Sequence, residues 1–352
     1  MDITPYLQLL RDKNGSDLFF TVGAPVKIKI EGSMNSVGKT LLTGEVVKAA
    51  AYGIMNDKQV QHFEDTMECD FAIALPDKSA RFRVNILRQR GEVAMVLRRI
   101  PAEIPTIEQL GLPEILSELI MHKRGLILMV GSTGSGKSTT LAAMINERNQ
   151  QMTGHILTIE DPVEFSHPNL KSIINQREVG VDTLNYRNAL KTSLREAPDV
   201  ILIGEIRDRE TMEAALELCN TGHLAISTLH ANNANQAMER VINLFPQDLH
   251  KQLLMDLSLN LRAVVSQRLV KGVDGMRVAA IEILINSPHI ADLILKGELH
   301  DLKEAMESSG TRGMQTFDMA LHQLFKEERI TLEEALANAD SRTNLEAKIN
   351  FG

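Results

Sequence analysis

Residues 125–140 read GLILMVGSTGSGKSTT. An apolar run of strand length, GLILMV, leads directly into Gly131 to Ser138, GSTGSGKS, which fits GxxxxGK[ST]. A helix-forming run, STTLAAMINERNQ, follows at once. Strand, glycine-rich turn and helix in that order make a phosphate loop. The glycines let successive backbone N–H groups turn inward onto phosphate oxygens, and the helix N-terminus adds positive potential. Gly131, Ser132, Thr133, Gly134, Ser135, Gly136, Lys137, Ser138 and Thr139 are therefore candidate nucleotide-binding residues. Lys137 reaches the β and γ oxygens, and the Ser138 hydroxyl is placed to ligate Mg²⁺. ATP with Mg²⁺ is the expected ligand.

Around this core, short apolar runs alternate with helical stretches, as in a parallel sheet covered on both faces. The runs are GLILMV, HILTIED, VILIGE and HLAISTLH; the helices between them include YRNALKTSLREA and DRETMEAALELCN. HILTIEDPVEF brings Glu160, Asp161 and Glu164 to the C-terminal end of its strand, where open α/β sheets bind ligands, and Pro162 stops the strand. Three carboxylates beside a triphosphate repel it unless one works on the attacking water. Glu164, on the loop beyond the Pro162 turn, is the candidate that orients and deprotonates that water. A solvated acidic turn is the alternative.

In VILIGEIRD the apolar run stops on Gly204 and Glu205. Glycine stands where a Walker B strand often carries its metal-binding Asp, which leaves Glu205 to act directly or through a bound water. NTGHLAISTLHA carries His223 and His230. Seven strand residues at roughly 3.3 Å each separate them by about 23 Å, which excludes a shared zinc ion. His230, near Thr228 at the C-terminal end, is placed to sense the γ-phosphate, and His223 to bond across an interface. Ordinary hydrogen-bonded structural histidines are the alternative for both.

Residues 1–100 read as a small α/β domain: an amphipathic helix, strands around FFTVG and VKIKIEG, a helix from about Thr43, then three strands. In ARFRVNIL, Phe82, Val84 and Ile86 alternate with Arg81, Arg83 and Asn85, the period of a sheet with one buried face. Arg81, Arg83 and Arg98 or Arg99 thus lie outside the phosphate-loop domain, and serve the phosphates only by reaching the nucleotide of their own or a neighbouring subunit. A solvated arginine face is the alternative. Arg195 and Arg207 are weaker candidates. Pro101, Pro105 and Pro113 mark a linker over 101–113. An α/β core over 114–285 and a helical region over 286–352 complete the plan, with Ser287–Pro288 starting one helix and Thr331 with Glu334 forming a capping box for another.

At 352 residues the chain suits two or three domains. The net charge of −8 gives no positive field for nucleic acid. Cys69 and Cys219 are too far apart in sequence for a zinc module and read as buried thiols. No signal peptide and no stretch of membrane-spanning length is expected.

GSTGSGKSTT, LTIEDPVEF, VILIGEIRD and GHLAISTLHA, in that order, resemble the Walker A, Asp box, Walker B and His box of the secretion ATPases of type II secretion and type IV pili. The short N-terminal module, the lack of a four-cysteine zinc motif and GMQTFD at 313–318 are similar to the pilus-retraction branch, PilT and PilU. HIADLILKGE, residues 289–298, stands where PilT-type members carry AIRNLIREGK, with Ala291 and Asp292 replacing Arg and Asn; together with the ending ALANADSRTNLEAKINF it places the chain nearer PilU. The resemblance implies a RecA-like P-loop core with a PAS-like N-terminal domain and a C-terminal helical region. It implies a cytoplasmic homohexamer, peripheral to the inner membrane, docked on the pilus platform protein and working with a PilT-type ATPase. Glu164 is then the catalytic glutamate and Glu205 the Walker B glutamate, with His223, His230, Arg81, Arg83 and Arg98 near the nucleotide. Two other readings stand beside it: a nucleotide-gated subunit of the PilT motor with little hydrolysis of its own, and a RecA-like nucleic-acid motor.

Overall fold

The computed structural model describes residues 1–30, 32–77, 79–100 and 103–351. Pro101, one of the three prolines of the expected linker, lies outside them. The chain divides into two compact units, one of residues 1–103 with 164–166 and one of residues 104–163 with 167–352.

The first unit holds six antiparallel strands: β1 (Asp17–Phe20), β2 (Val26–Ile30), β3 (Ser33–Val37), β4 (Glu68–Ala74), β5 (Arg81–Gln89) and β6 (Glu92–Ile100), in the order β3-β2-β1-β6-β5-β4. Helices Thr4–Asp12, Gly44–Tyr52 and Asp57–Thr66 bury Leu7, Leu10, Val47 and Phe63 in one core with Phe82, Val84 and Ile86. The alternation of β5 is realised: those three apolar side chains are fully buried while Arg83 is exposed. Thr43 starts the second helix, its hydroxyl accepting from the Val46 amide at 3.4 Å.

The second unit is built on β7 (Gly125–Val130), β8 (Gly154–Glu160), β9 (Ser172–Glu178), β10 (Val200–Ile203), β11 (Leu224–Leu229), β12 (Leu261–Lys271) and β13 (Arg277–Ile285). Their order is β13-β12-β7-β11-β10-β8-β9; all pairs are parallel except the β12–β13 hairpin. Every residue of β7 is buried, because helices cover both faces. Leu126, Leu128 and Val130 enter one core with Met212 and Leu257, and Ile127 and Met129 enter the other with Leu141 and Met144. β12 lies on one side of β7 and β11 on the other: the chain leaves β7 towards β8 and later crosses from β11 to β12, a reversal of strand order at whose C-terminal edge open α/β sheets bind ligands.

Beyond β13 the chain is helical: Pro288–Lys296, Leu302–Glu307, Phe317–Lys326, Leu332–Asn338 and Arg342–Phe351. Ser287 caps the first of these, accepting from Ile290 at 3.3 Å. Thr331 likewise accepts from Glu334 at 3.2 Å, but the expected reciprocal bond goes elsewhere: Glu334 Oε1 takes the Lys271 amide at 2.9 Å, tying this helix to β12. Asp318, buried, accepts from the amides of Asp340 and Ser341 at 2.7 and 3.1 Å. No described helix is long and apolar enough to cross a membrane.

Removing a buried carboxylate that holds two amides strands both donors, a loss of about 2 kcal/mol. Asp318→Ala is therefore expected to accelerate amide exchange over residues 338–350 while leaving β7 protected; equal protection of both regions would refute this role.

Candidate functional site

The phosphate loop leaves β7 pressed against its neighbours. Gly131 has φ 151°, and a Cβ there would lie 2.5 Å from Ser135 Oγ and 2.6 Å from the Gln267 carbonyl oxygen. Gly136, with φ 87°, would bring a Cβ within 2.7 Å of Gln267 Nε2. No other residue fits either position without displacing β12 or its side chain. Ser132, Thr133 and Gly134 are exposed, whereas Ser135 is buried and its hydroxyl has no hydrogen-bond partner among the described residues.

Lys137 opens the helix Lys137–Gln151 and turns its ammonium onto the carbonyls of Gly131 and Ser132, at 2.7 and 2.8 Å. A cavity of about 610 Å³ opens beside the loop, bounded also by Asn232, Gln267 and Arg268. A second, of about 400 Å³, joins Gly131 and Ser132 to His230 and Asn232. An orphaned hydroxyl, a cradle that a Cβ would fill, a buried ammonium and a half-buried Ser138 at the helix start make a donor set that fits a polyphosphate with Mg²⁺.

At the ends of β10 and β11 the structure brings together Glu205, Arg207 and His230. Glu205 Oε2 accepts from Arg207 Nε at 2.7 Å, and Oε1 lies 3.3 Å from His230 Nε2. The two strand ends are laced by Thr228 Oγ1 donating to the Gly204 carbonyl at 2.6 Å and the Ile206 amide donating to the Thr228 carbonyl at 3.0 Å. The glycine in place of a Walker B aspartate has a steric cause. A Cβ on Gly204 would sit 2.6 Å from Tyr186 Oη and 3.1 Å from the Ile159 carbonyl. Burial, then the nearby Asp161 carboxylate with Glu205 and Glu160 behind it, pushes the Tyr186 phenol well up against the opposing charge of Arg207, so it stays a protonated donor.

The three carboxylates at and beyond the end of β8 separate. Glu160 is half-buried and accepts from Thr158 Oγ1 at 2.6 Å and Gln176 Nε2 at 3.2 Å, an orientation fixed by its own sheet. Asp161 is exposed before the cis Pro162 peptide. Glu164 is exposed with no hydrogen bond or ion pair to any described residue, and Glu164–Ser166 belongs to the first unit.

That first unit also carries the arginines. Arg83 and Arg98 are register partners on the open face, and Arg98 Nε binds the buried Asp17 at 2.8 Å. Arg99 is engaged by the Asn14 side chain and the Gly15 carbonyl and is half-buried, whereas Arg98 is exposed although it too has a partner in Asp17. Arg81 is half-buried. His223 sits at the N-terminal end of β11, opposite to His230, its Nδ1 3.0 Å from Thr221 Oγ1 and 3.1 Å from the Leu218 carbonyl. Arg195 is exposed in the turn Leu194–Glu196.

A family model for type II/IV secretion system proteins matches residues 3–338. The chain is a type II/IV secretion ATPase of the PilT/PilU group. It is 53% identical to the type IV pilus ATPase PilU of Pseudomonas aeruginosa, over 100% of this chain and 92% of that protein. It is 43% identical to the PilT retraction ATPase of the same organism, over 96% and 98%. The crystal structure of the pilus retraction motor PilT with bound ADP superposes with a TM-score of 0.92 at 40% identity, covering 98% of this chain and 99% of that one. The mixed α/β architecture with two sheets is thus that of the secretion ATPases. Tyr186 and Gln267 are site-shaping residues that the motifs of the group did not single out.

Gly204→Ala should lower stability by about 1–3 kcal/mol, and Tyr186→Phe in the same chain should recover part of it by removing the clashing hydroxyl. Equal melting temperatures for wild type and Gly204→Ala would contradict the steric account. His167 is half-buried, its Nδ1 lacks a partner among the described residues, and desolvation pulls its pKa down to about 4. The unfolded chain then binds the extra proton between pH 6.5 and 4, so this histidine's contribution is complete above 6.5 and lost towards 4, by up to about 3 kcal/mol. His167→Gln should flatten that part of the pH–stability curve.

Proposed function

We propose that the chain is an ATP-driven motor subunit that powers type IV pilus retraction as a homohexamer in the cytoplasm. In this reading it docks on the inner-membrane platform protein and works with a PilT-type ATPase. The observation that carries the reading is the Glu205–His230 pair at adjacent strand ends, on the same crevice as a phosphate loop whose lysine is already buried and directed inward.

Residues 131–139 bind the phosphates, with Lys137 exchanging the Gly131 and Ser132 carbonyls for phosphate oxygens. Ser138 would hold Mg²⁺, with Glu205 contributing directly or through a water. The ion, when bound, neutralises charge that builds on the phosphate oxygens. His230, whose Nε2 lies 3.3 Å from Glu205 Oε1, answers the γ-phosphate beside that carboxylate, so loss of the phosphate is felt at the ends of β10 and β11. Glu164, exposed on its loop, orients the attacking water and takes its proton. Arg81, Arg83 and Arg98 add positive charge to the nucleotide of the same or a neighbouring subunit, and His223 bonds across the subunit interface.

A second reading, a nucleotide-gated partner of a PilT-type motor, is favoured by one observation. In the helix Pro288–Lys296, Asp292 is closed onto Lys296 at 2.6 Å and Ala291 offers no polar group. Hydrolysis assayed with and without a PilT-type ATPase separates the two readings.

Glu164→Gln should abolish turnover, with a loss of at least about a hundredfold, while ATP still binds with near wild-type affinity. Unchanged turnover in this variant would remove Glu164 from the chemistry.

A further inference from the structure

One residue outside the phosphate loop meets it at two places and the helix that follows it at a third. Gln267, 3% exposed, lies on β12 one position beyond Ser266, which pairs with Val130 at the end of β7. Its backbone carbonyl lies against Gly131, and its side-chain amide nitrogen against Gly136. Its Oε1 accepts from Thr140 Oγ1 at 2.7 Å, and Thr140 is itself 1% exposed in the first turn of the helix Lys137–Gln151. The two glycine hinges and the helix start are therefore set against a single side chain and its own carbonyl.

A phosphate loop works by convergence: its N–H groups must aim at one anion. Free hinges would spread those donors over many directions, and ligand binding would have to order them. We propose that Gln267 is a positioning residue for nucleotide binding, fixing the loop between Gly131 and Gly136 through its bond to Thr140. The bond is buried and joins two different elements, so its removal leaves both the Thr140 hydroxyl and the loop without a fixed reference.

This inference rests on the phosphate loop being the nucleotide site, and the test separates the two. ADP binding with Mg²⁺ is measured by calorimetry on the full chain for wild type, Gln267→Met, Thr140→Val, Thr140→Ser and the double variant Gln267→Met/Thr140→Val. Methionine keeps the length of the side chain and removes the acceptor; serine keeps the hydroxyl. Gln267→Met and Thr140→Val should each weaken ADP binding about tenfold, and the double variant no further, because both remove one bond. Thr140→Ser should bind as wild type, and in steady-state assays KM for ATP should rise more than kcat falls in the other variants.

A double variant about a hundredfold weaker would show that Gln267 acts independently of Thr140, as a direct ligand contact would, and would overturn the proposal. So would single variants that melt earlier yet bind ADP with unchanged affinity. A wild-type chain that does not bind ADP would instead overturn the nucleotide site itself, and this inference with it.

Discussion

The close approach of β12 to the phosphate loop is the constraint on which the rest of the second unit depends. The Gln267 carbonyl sits where a Cβ on residue 131 would be, so the loop leaves β7 over the backbone of its neighbour. Glycine at 131 and 136 follows from that approach, as does the buried Lys137, which satisfies its ammonium on loop carbonyls. An ammonium buried against carbonyl oxygens gains further from a polyphosphate, whose full negative charge makes the stronger acceptor.

β12 also anchors the elements C-terminal to the loop. Ser266 Oγ donates to the buried Glu282, which accepts from the Ala234 amide just after the His230 segment. Arg268 pairs with Asp340 at 2.7 Å, donates to the Asn338 carbonyl and stacks on Phe317 at 3.8 Å. Three consecutive residues thus tie the phosphate loop, the segment beyond His230 and the C-terminal helices to one strand. The Glu205–His230 pair and the phosphate loop consequently share a rigid frame, which a site for positioning and electrostatic stabilisation requires.

The central strands β7, β8, β10 and β11 were legible because burial on both faces makes each a continuous apolar run. β12 and β13 were harder to read as strands because Ser266, Gln267, Arg268 and Glu282 interrupt their runs. Those polar residues are present for the contacts they make, so the break in pattern marks the residues that brace the site. β3, Ser33–Val37, is almost wholly exposed and has no apolar face to show. The motif residues themselves were readable from spacing, but the reason for Gly204 was not. Tyr186 is 18 positions away in sequence and reaches Gly204 only through the fold. Likewise, the partners of Arg98 and Arg99, Asp17 for one and the Asn14–Gly15 turn for the other, come together only in the fold.

Steady-state ATP hydrolysis by the purified chain, measured together with its mass in solution in ATP and Mg²⁺, tests the central claim most directly. The account predicts turnover by a hexamer that disappears in Lys137→Ala. Turnover that survives Lys137→Ala, or a folded chain that neither binds nor hydrolyses ATP, would contradict it.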